Sequence, residues 1–245
     1  MAKNSRIPYN HKRTAVIIGA SSGIGEAIAR ELGREGWRLA LTARRLEILE
    51  KIAGECGSDV LVRYVDLAES EKAATAIEAI LEELGTVDLF IISAGTGNIN
   101  HELEWFPDRD TLLVNVMGFA SMAQAAMRYF FRQGHGHLVG ISSIAALRGS
   151  AAAAAYSASK AFQSIYLDGL RDHARRHKLP ITVTEAQPGF VDTAMMKADR
   201  PFWVATPEAA ARQILSAVGR GAKHAYITRR WALVAWLLKL LPRAG

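Results

Sequence analysis

From residue 14 onward, short β-branched apolar runs alternate with amphipathic stretches of ten or more residues, and this alternation narrows the fold more than any other property of the chain. Strands are expected at 14–18, 37–43, 60–65, 87–92, 137–141, 181–185 and 224–228. Helices are expected at 23–35, 46–56, 70–84 with Ser70 as its cap, 110–132, 156–177 and 207–218. Strands separated by helices of this length make βαβ units and a parallel sheet. With no linker, internal repeat or break in composition, the expectation is one α/β domain, a doubly wound parallel sheet with helices on both faces.

The two ends of the chain differ from this middle. Residues 1–12 are polar and basic, are followed by no apolar segment, and suggest a loosely held tail rather than a secretory signal. The single cysteine, Cys56, permits no intrachain disulfide and suits a reducing, cytoplasmic setting. A net charge of +6 could favour phosphorylated ligands or an anionic membrane surface, but no Lys/Arg block of the nucleic-acid-binding kind is present. Residues 229–245 carry an apolar helix (WALVAWLLKLL, 231–241) flanked by Arg229, Arg230 and Arg243. It is far short of the roughly 20 residues that cross a bilayer. Its apolar faces therefore need cover from this domain, a second subunit or a membrane interface, the last making the protein peripheral to a membrane.

Gly19-Ala20-Ser21-Ser22-Gly23-Ile24-Gly25 lies between the first strand and the first helix. A pyrophosphate needs a tight turn, close backbone approach and unpaired N–H groups at a helix N-terminus, and glycines allow the first two. Where an NAD site would carry an acid about twenty residues further on, this chain has Arg44 and Arg45. Guanidinium groups hold a 2′-phosphate that an acid would repel, so NADP(H) is the expected cofactor. The alternative is that these arginines only begin the next helix on its solvent side. Asp66 could accept a hydrogen bond from an adenine amino group, or simply start a helix.

Tyr156 and Lys160 stand one helical turn apart, which places a phenol and an ammonium on one face. A free phenol has a pKa near 10, and a neighbouring cation brings it toward the working range. The glycine turn, Ser93-Ala94-Gly95, Ser142-Ser143 and Pro188-Gly189 all follow strands, at the sheet edge where open α/β folds bind ligands.

These motifs, with the asparagine of V-N-V (114–116), Y-S-A-S-K (156–160) and P-G-F-V-D-T (188–193), make the chain resemble the short-chain dehydrogenase/reductase family over roughly residues 13–220. The resemblance implies a Rossmann-type domain over 13–228, with a substrate lid at about 190–206. It implies a catalytic set in which Tyr156 exchanges a proton with a carbonyl or secondary alcohol and Lys160 lowers the Tyr156 pKa. Ser143 would hydrogen-bond the substrate oxygen, and Asn115 would hold a water that continues the relay from Lys160. The implied cofactor positions are Gly19, Ser21, Ser22, Gly23, Ile24, Gly25, Arg44, Arg45, Asp66, Leu67, Ala94, Gly95, Tyr156, Lys160, Pro188, Gly189, Val191 and Thr193. Thr193 would contact the carboxamide.

The chain departs from the family pattern at Ile18, where threonine is usual, and at Ile92-Ser93, where two asparagines are usual. Both halves of a side-chain brace between two loops are thereby altered. The tryptophan-rich tail is expected in place of the family's sheet-closing C-terminal segment. The resemblance further implies a homo-oligomer, a dimer through the helices at 110–132 and 156–177 or a tetramer, for which the altered tail is less suited. Met195, Met196, Phe202 and Trp203 in the lid suggest an apolar carbonyl/alcohol substrate. His173 and His177, one turn apart among arginines, read as a solvated face rather than a metal site, and His135 and His137 as loop residues. Ala151–Ala155 reads as the small-residue approach to the catalytic helix. Two other functions fit less of this pattern: a non-catalytic NADP(H)-binding scaffold, and a membrane-peripheral reductase acting on a lipid.

Overall fold

A computed structural model describes residues 12–197 and 200–240. The expected tail, apart from Lys12, lies outside the described residues, as do Leu241, Pro242 and Arg243. Seven parallel strands form one sheet in the order β3-β2-β1-β4-β5-β6-β7. They are β1 (Thr14–Ile18), β2 (Arg38–Ala43), β3 (Val60–Tyr64), β4 (Leu89–Ile92), β5 (Gly136–Ile141), β6 (Ile181–Pro188) and β7 (His224–Ile227). β1 and β4 are buried at every position, which is why they read as unbroken apolar runs rather than alternating ones. Their side chains still divide by the two-residue period of a strand. Val16, Ile18, Phe90 and Ile92 enter the core on one face, and Ala15, Ile17, Leu89 and Ile91 enter the core on the other.

The second of those cores is covered by α1 (Gly23–Arg34), α2 (Leu46–Cys56) and α7 (Pro207–Gly219). The first is covered by α3 (Ser70–Leu84), α5 (Phe119–Gln133) and α6 (Ala154–His177). Local chemistry sets several boundaries. Thr206 caps α7 by accepting from the Ala209 N–H, with Pro207 at the first helical position. Ser70 does not cap α3: it lies inside the helix behind Glu69, and its hydroxyl donates to the Glu71 carboxylate.

The helix expected from 110 starts earlier, as α4 (Trp105–Leu112), because Pro107 falls in a first turn where its missing N–H costs nothing. α4 runs through a single π turn, Leu113–Gly118, into α5. β7 pairs with β6 and closes the sheet, so the C-terminal helix α8 (Trp231–Leu240) follows a closing strand rather than replacing one. His137 is likewise not a loop residue but the second residue of β5.

α8 docks by burying Trp231 and Ala235, with Val234 and Leu238 half-buried. Leu233, Trp236, Leu237 and Leu240 remain 57%, 58%, 46% and 63% exposed, so this domain covers only one side of an apolar helix. Among the described residues no helix is long and apolar enough to cross a membrane. The strand order reverses between β1 and β4, and the crevice at their carboxyl ends is the ligand-binding position of such a sheet.

Candidate active site

The glycine turn leaves β1 at that crevice. Gly19 (φ +86°) and Gly23 (φ +59°) occupy left-handed backbone that side chains disfavour. A Cβ on Gly19 would lie 2.6 Å from the Ala94 backbone, so the turn packs directly on the loop after β4. That contact takes over from the altered brace: Ser93 and Ala94 both donate their N–H groups to the Ile18 carbonyl at 2.9 Å. Ser22 is the N-cap of α1 and makes no side-chain capping bond, which leaves the first-turn N–H groups facing the crevice. Ile24 is half-buried on that turn, and Gly25 is buried against the Gly19 carbonyl.

Arg44 and Arg45 follow β2 on the same side. Arg45 donates to both serine hydroxyls of the turn, 2.9 Å to Ser21 and 2.9 Å to Ser22. Arg44 is exposed and makes no hydrogen bond or ion pair among the described residues. Asp66 accepts from the Ala68 N–H at 3.0 Å, a local turn bond that occupies one carboxylate oxygen. Leu67 is buried beneath Gly118 of the π turn. A close glycine cradle, an open helix N-terminus and a free guanidinium together fit a dinucleotide phosphate chain.

β5 and α6 bring the catalytic candidates to the next position along the edge. Ser143 caps a short 3-10 turn (Ile144–Leu147), with its hydroxyl accepting from the Ala145 N–H at 3.1 Å. The same hydroxyl donates to the Pro188 carbonyl at 3.5 Å and lies close enough to the Tyr156 phenol to act on its titration. Tyr156 is pressed against Gly97, where a Cβ would lie 2.6 Å from the ring. Lys160 is buried, with its ammonium 5.7 Å from the Tyr156 ring centroid and bonded to the Ile141 carbonyl at 3.1 Å.

Burial lowers the Lys160 pKa to about 8. It also pushes the Tyr156 phenol above its usual value, and the nearby Ser143 hydroxyl recovers part of that. In the protein alone, burial therefore outweighs the depression expected from the ammonium.

Asn115 is fully buried in the π turn and ties three segments together. Its Oδ1 accepts from the Thr96 N–H at 2.9 Å, and its Nδ2 donates to the Thr96 carbonyl and to Ser159 Oγ. Its main-chain carbonyl accepts from Gln163 Nε2 at 2.9 Å, whereas the resemblance gives Asn115 a water as its partner toward Lys160. Sequence reasoning passed over Gln163 and Gly97, since neither lies in a recognisable motif.

Pro188 ends β6, and Gly189 leads into the segment expected to form the lid. Its ends are pinned by pairing between Val191 and Ala205. Thr193 reaches the glycine turn, where a Cβ on Gly23 would lie 3.0 Å from its Cγ2. Lys197 donates to Asn98 across the cleft at 3.2 Å. Trp231 of α8 sits over Gly189 and packs with Phe190, Phe202 and Trp203, so the C-terminal helix is anchored on the segment that follows β6. His173 meets the Phe131 ring edge-on and His177 meets it at a tilt, and no group of metal-ligating side chains occurs among the described residues.

The sheet order and the helices on both faces define a Rossmann-type α/β fold, and comparison with known proteins agrees. The short chain dehydrogenase family model matches residues 13–202, and the chain belongs to that family of oxidoreductases. It is 38% identical over 205 residues to an uncharacterized oxidoreductase of Myxococcus xanthus, covering 80% of each protein. It superposes on an alcohol dehydrogenase from the archaeon Thermococcus sibiricus, complexed with 5-hydroxy-NADP, with a TM-score of 0.78 and 26% identity, covering 88% of this chain and 96% of the other. A short chain dehydrogenase/reductase from Burkholderia phymatum in complex with NAD shares the fold at TM-score 0.81 and 20% identity, covering 92% of each chain.

Proposed function

We propose that this protein is an NADP(H)-preferring oxidoreductase that interconverts a carbonyl and a secondary alcohol on an apolar substrate. The observation that carries this reading is the convergence of Ser143, Tyr156 and the buried Lys160 ammonium, 5.7 Å from the Tyr156 ring centroid, at the switch-point crevice. Gly19, Ser21, Ser22, Gly23, Ile24 and Gly25 would hold the dinucleotide pyrophosphate, and Arg44 and Arg45 the 2′-phosphate. Asp66, Leu67, Ala94, Gly95, Pro188, Gly189, Val191 and Thr193 would line the remainder of its site. When bound, the cofactor supplies or accepts the hydride at the substrate carbon.

In reduction, Tyr156 Oη gives its proton to the carbonyl oxygen, and in oxidation it takes the proton of the alcohol. Ser143 Oγ orients that oxygen, and Lys160 favours the phenolate. Asn115 holds the loop after β4 in place through both atoms of its amide. Met195, Phe202 and Trp203 are 38%, 49% and 39% exposed along the lid, which supports an apolar substrate.

Fluorescence titrations with NADPH and NADH test the cofactor preference. Tighter NADPH binding that is lost in Arg44→Asp supports it, and equal or tighter NADH binding refutes it. Absence of turnover across a panel of ketones, with cofactor binding intact, would favour a non-catalytic scaffold.

Two features bear on partners. The outer face of α6 presents an apolar groove that includes Phe162, Ile165 and Leu170, with Ile165 75% exposed, which supports a homodimer along α5 and α6. The uncovered stripe on α8 lies beside exposed Arg229, Arg230 and Lys239, which favours peripheral contact with an anionic membrane. Co-sedimentation with phosphatidylserine-containing vesicles tests the latter. Equal binding by a Leu233→Ser, Trp236→Ser, Leu237→Ser variant would remove it.

A further inference from the structure

Gln163 is fully buried on α6, three residues beyond Lys160, and belongs to none of the matched motifs. Both ends of its amide are spent on the site. Oε1 accepts from Lys160 Nζ at 3.0 Å, and Nε2 donates to the Asn115 carbonyl at 2.9 Å. The π turn helps to free that carbonyl, because the Phe119 N–H reaches back five residues to Val114 instead of four to Asn115. An ammonium has three donors. Ile141 and Gln163 take two, and the third is left toward Gly95, where a Cβ would come within 3.4 Å of Nζ.

A water in this link would accept and donate through one oxygen and could pass a proton onward. A primary amide accepts at one atom and donates at another, so it bridges the same two groups without conducting. We propose that Gln163 is a positioning residue of the catalytic site: its amide takes the place of a relay water between Lys160 and the Asn115 carbonyl, fixes the ammonium on the Tyr156 side and closes that route to protons. Its meaning for catalysis rests on the oxidoreductase reading above. The bridge itself does not.

The groups facing the ammonium are Tyr156 from its own helix, Ile141 from β5, Asn115 from the π turn and Gly95 from the loop after β4. None is a carboxylate. The buried charge is therefore supported by carbonyl dipoles, and loss of one acceptor must favour the neutral amine.

The test uses the full chain without cofactor, with lysine labelled at Cε for NMR and the Lys160 signal assigned by its absence in Lys160→Met. Gln163→Leu, which removes the acceptor and keeps the volume filled, should lower the Lys160 titration by about one to two pH units. Gln163→Glu should raise it. A Lys160 titration unmoved in both variants, each folded by circular dichroism, overturns the proposal.

A second measurement follows alcohol oxidation against pH with NADP. Gln163→Leu should displace the limb to higher pH and lower kcat at neutral pH on the order of 10-fold, with KM held. Gln163→Ala, which leaves room for a water, should recover much of that loss. A uniform fall in kcat with an unmoved limb would mark Gln163 as packing only. If the wild-type protein turns over no alcohol, the oxidoreductase reading fails, while the NMR titration still decides whether Gln163 positions Lys160.

Discussion

His137 offers a quantitative test of the packing, because a titratable ring has been placed inside a parallel strand. It lies near the start of β5, at the sheet edge opposite the crevice, and its Nε2 is 2.7 Å from Thr184 Oγ1 on β6. The Thr184 hydroxyl donates to the Ala222 carbonyl, so toward His137 it can only accept, and Nε2 carries the proton. Burial lowers the ring's pKa to about 4 from an unfolded value near 6.5. Between those values the unfolded chain binds more protons than the folded one, so stability is lost as pH falls through that window. Linkage with these two pKa values gives a loss of about 1.8 kcal/mol between pH 7 and pH 5 from this residue alone.

Carboxylates also contribute to acid sensitivity, so the comparison is between wild type and His137→Gln, whose amide N–H still reaches toward Thr184. Urea unfolding of both proteins at pH 7 and pH 5 should give a wild-type loss larger by about 1.8 kcal/mol, with m-values unchanged. Activity at pH 7 should be the same in both, since the residue is remote from the crevice. Parallel pH dependence of the two proteins would refute the burial argument.

Two glycine substitutions probe the site more directly. Gly97→Ala places a methyl group 2.6 Å from the Tyr156 ring and should lower kcat on the order of 10²-fold by displacing the phenol, with the NADPH dissociation constant unchanged. An unaltered kcat would show that the ring has room to move. Gly189→Ala drives a methyl group into the Trp231 indole and should undock α8, seen as faster tryptic cleavage at Arg229 and Arg230. Wild-type cleavage rates would show that the helix is held by other contacts.

The parts of this molecule legible in the sequence are those whose physics is local. β1 and β4 announce themselves as unbroken apolar runs because both of their faces are buried. The glycine turn is readable because Gly19 and Gly23 need left-handed backbone that side chains disfavour. Tyr156 and Lys160 are one helical turn apart on any α-helix. What escaped is set by distant neighbours. Ser70 resembles a cap, but its hydroxyl turns to Glu71 instead. The helix expected from 110 begins five residues earlier, because Pro107 fits its first turn. His135 and His137 look alike in sequence, and only the pairing of β5 with β4 and β6 separates the strand residue from the loop residue. Gln163 was silent because its partners, Lys160 and Asn115, meet only when α6 packs on the π turn. α8 is apolar nearly all round in sequence, yet Trp231 fixes one side against Gly189 and Phe190 and the other stays exposed.

The central claim is that Tyr156 transfers the proton. It is tested most directly by NADPH oxidation over a panel of apolar ketones, comparing wild type with Tyr156→Phe, which removes a single oxygen. The account predicts turnover by the wild type and a fall of about 10² to 10⁴-fold in the variant, with NADPH affinity kept. Turnover that survives in Tyr156→Phe would contradict it.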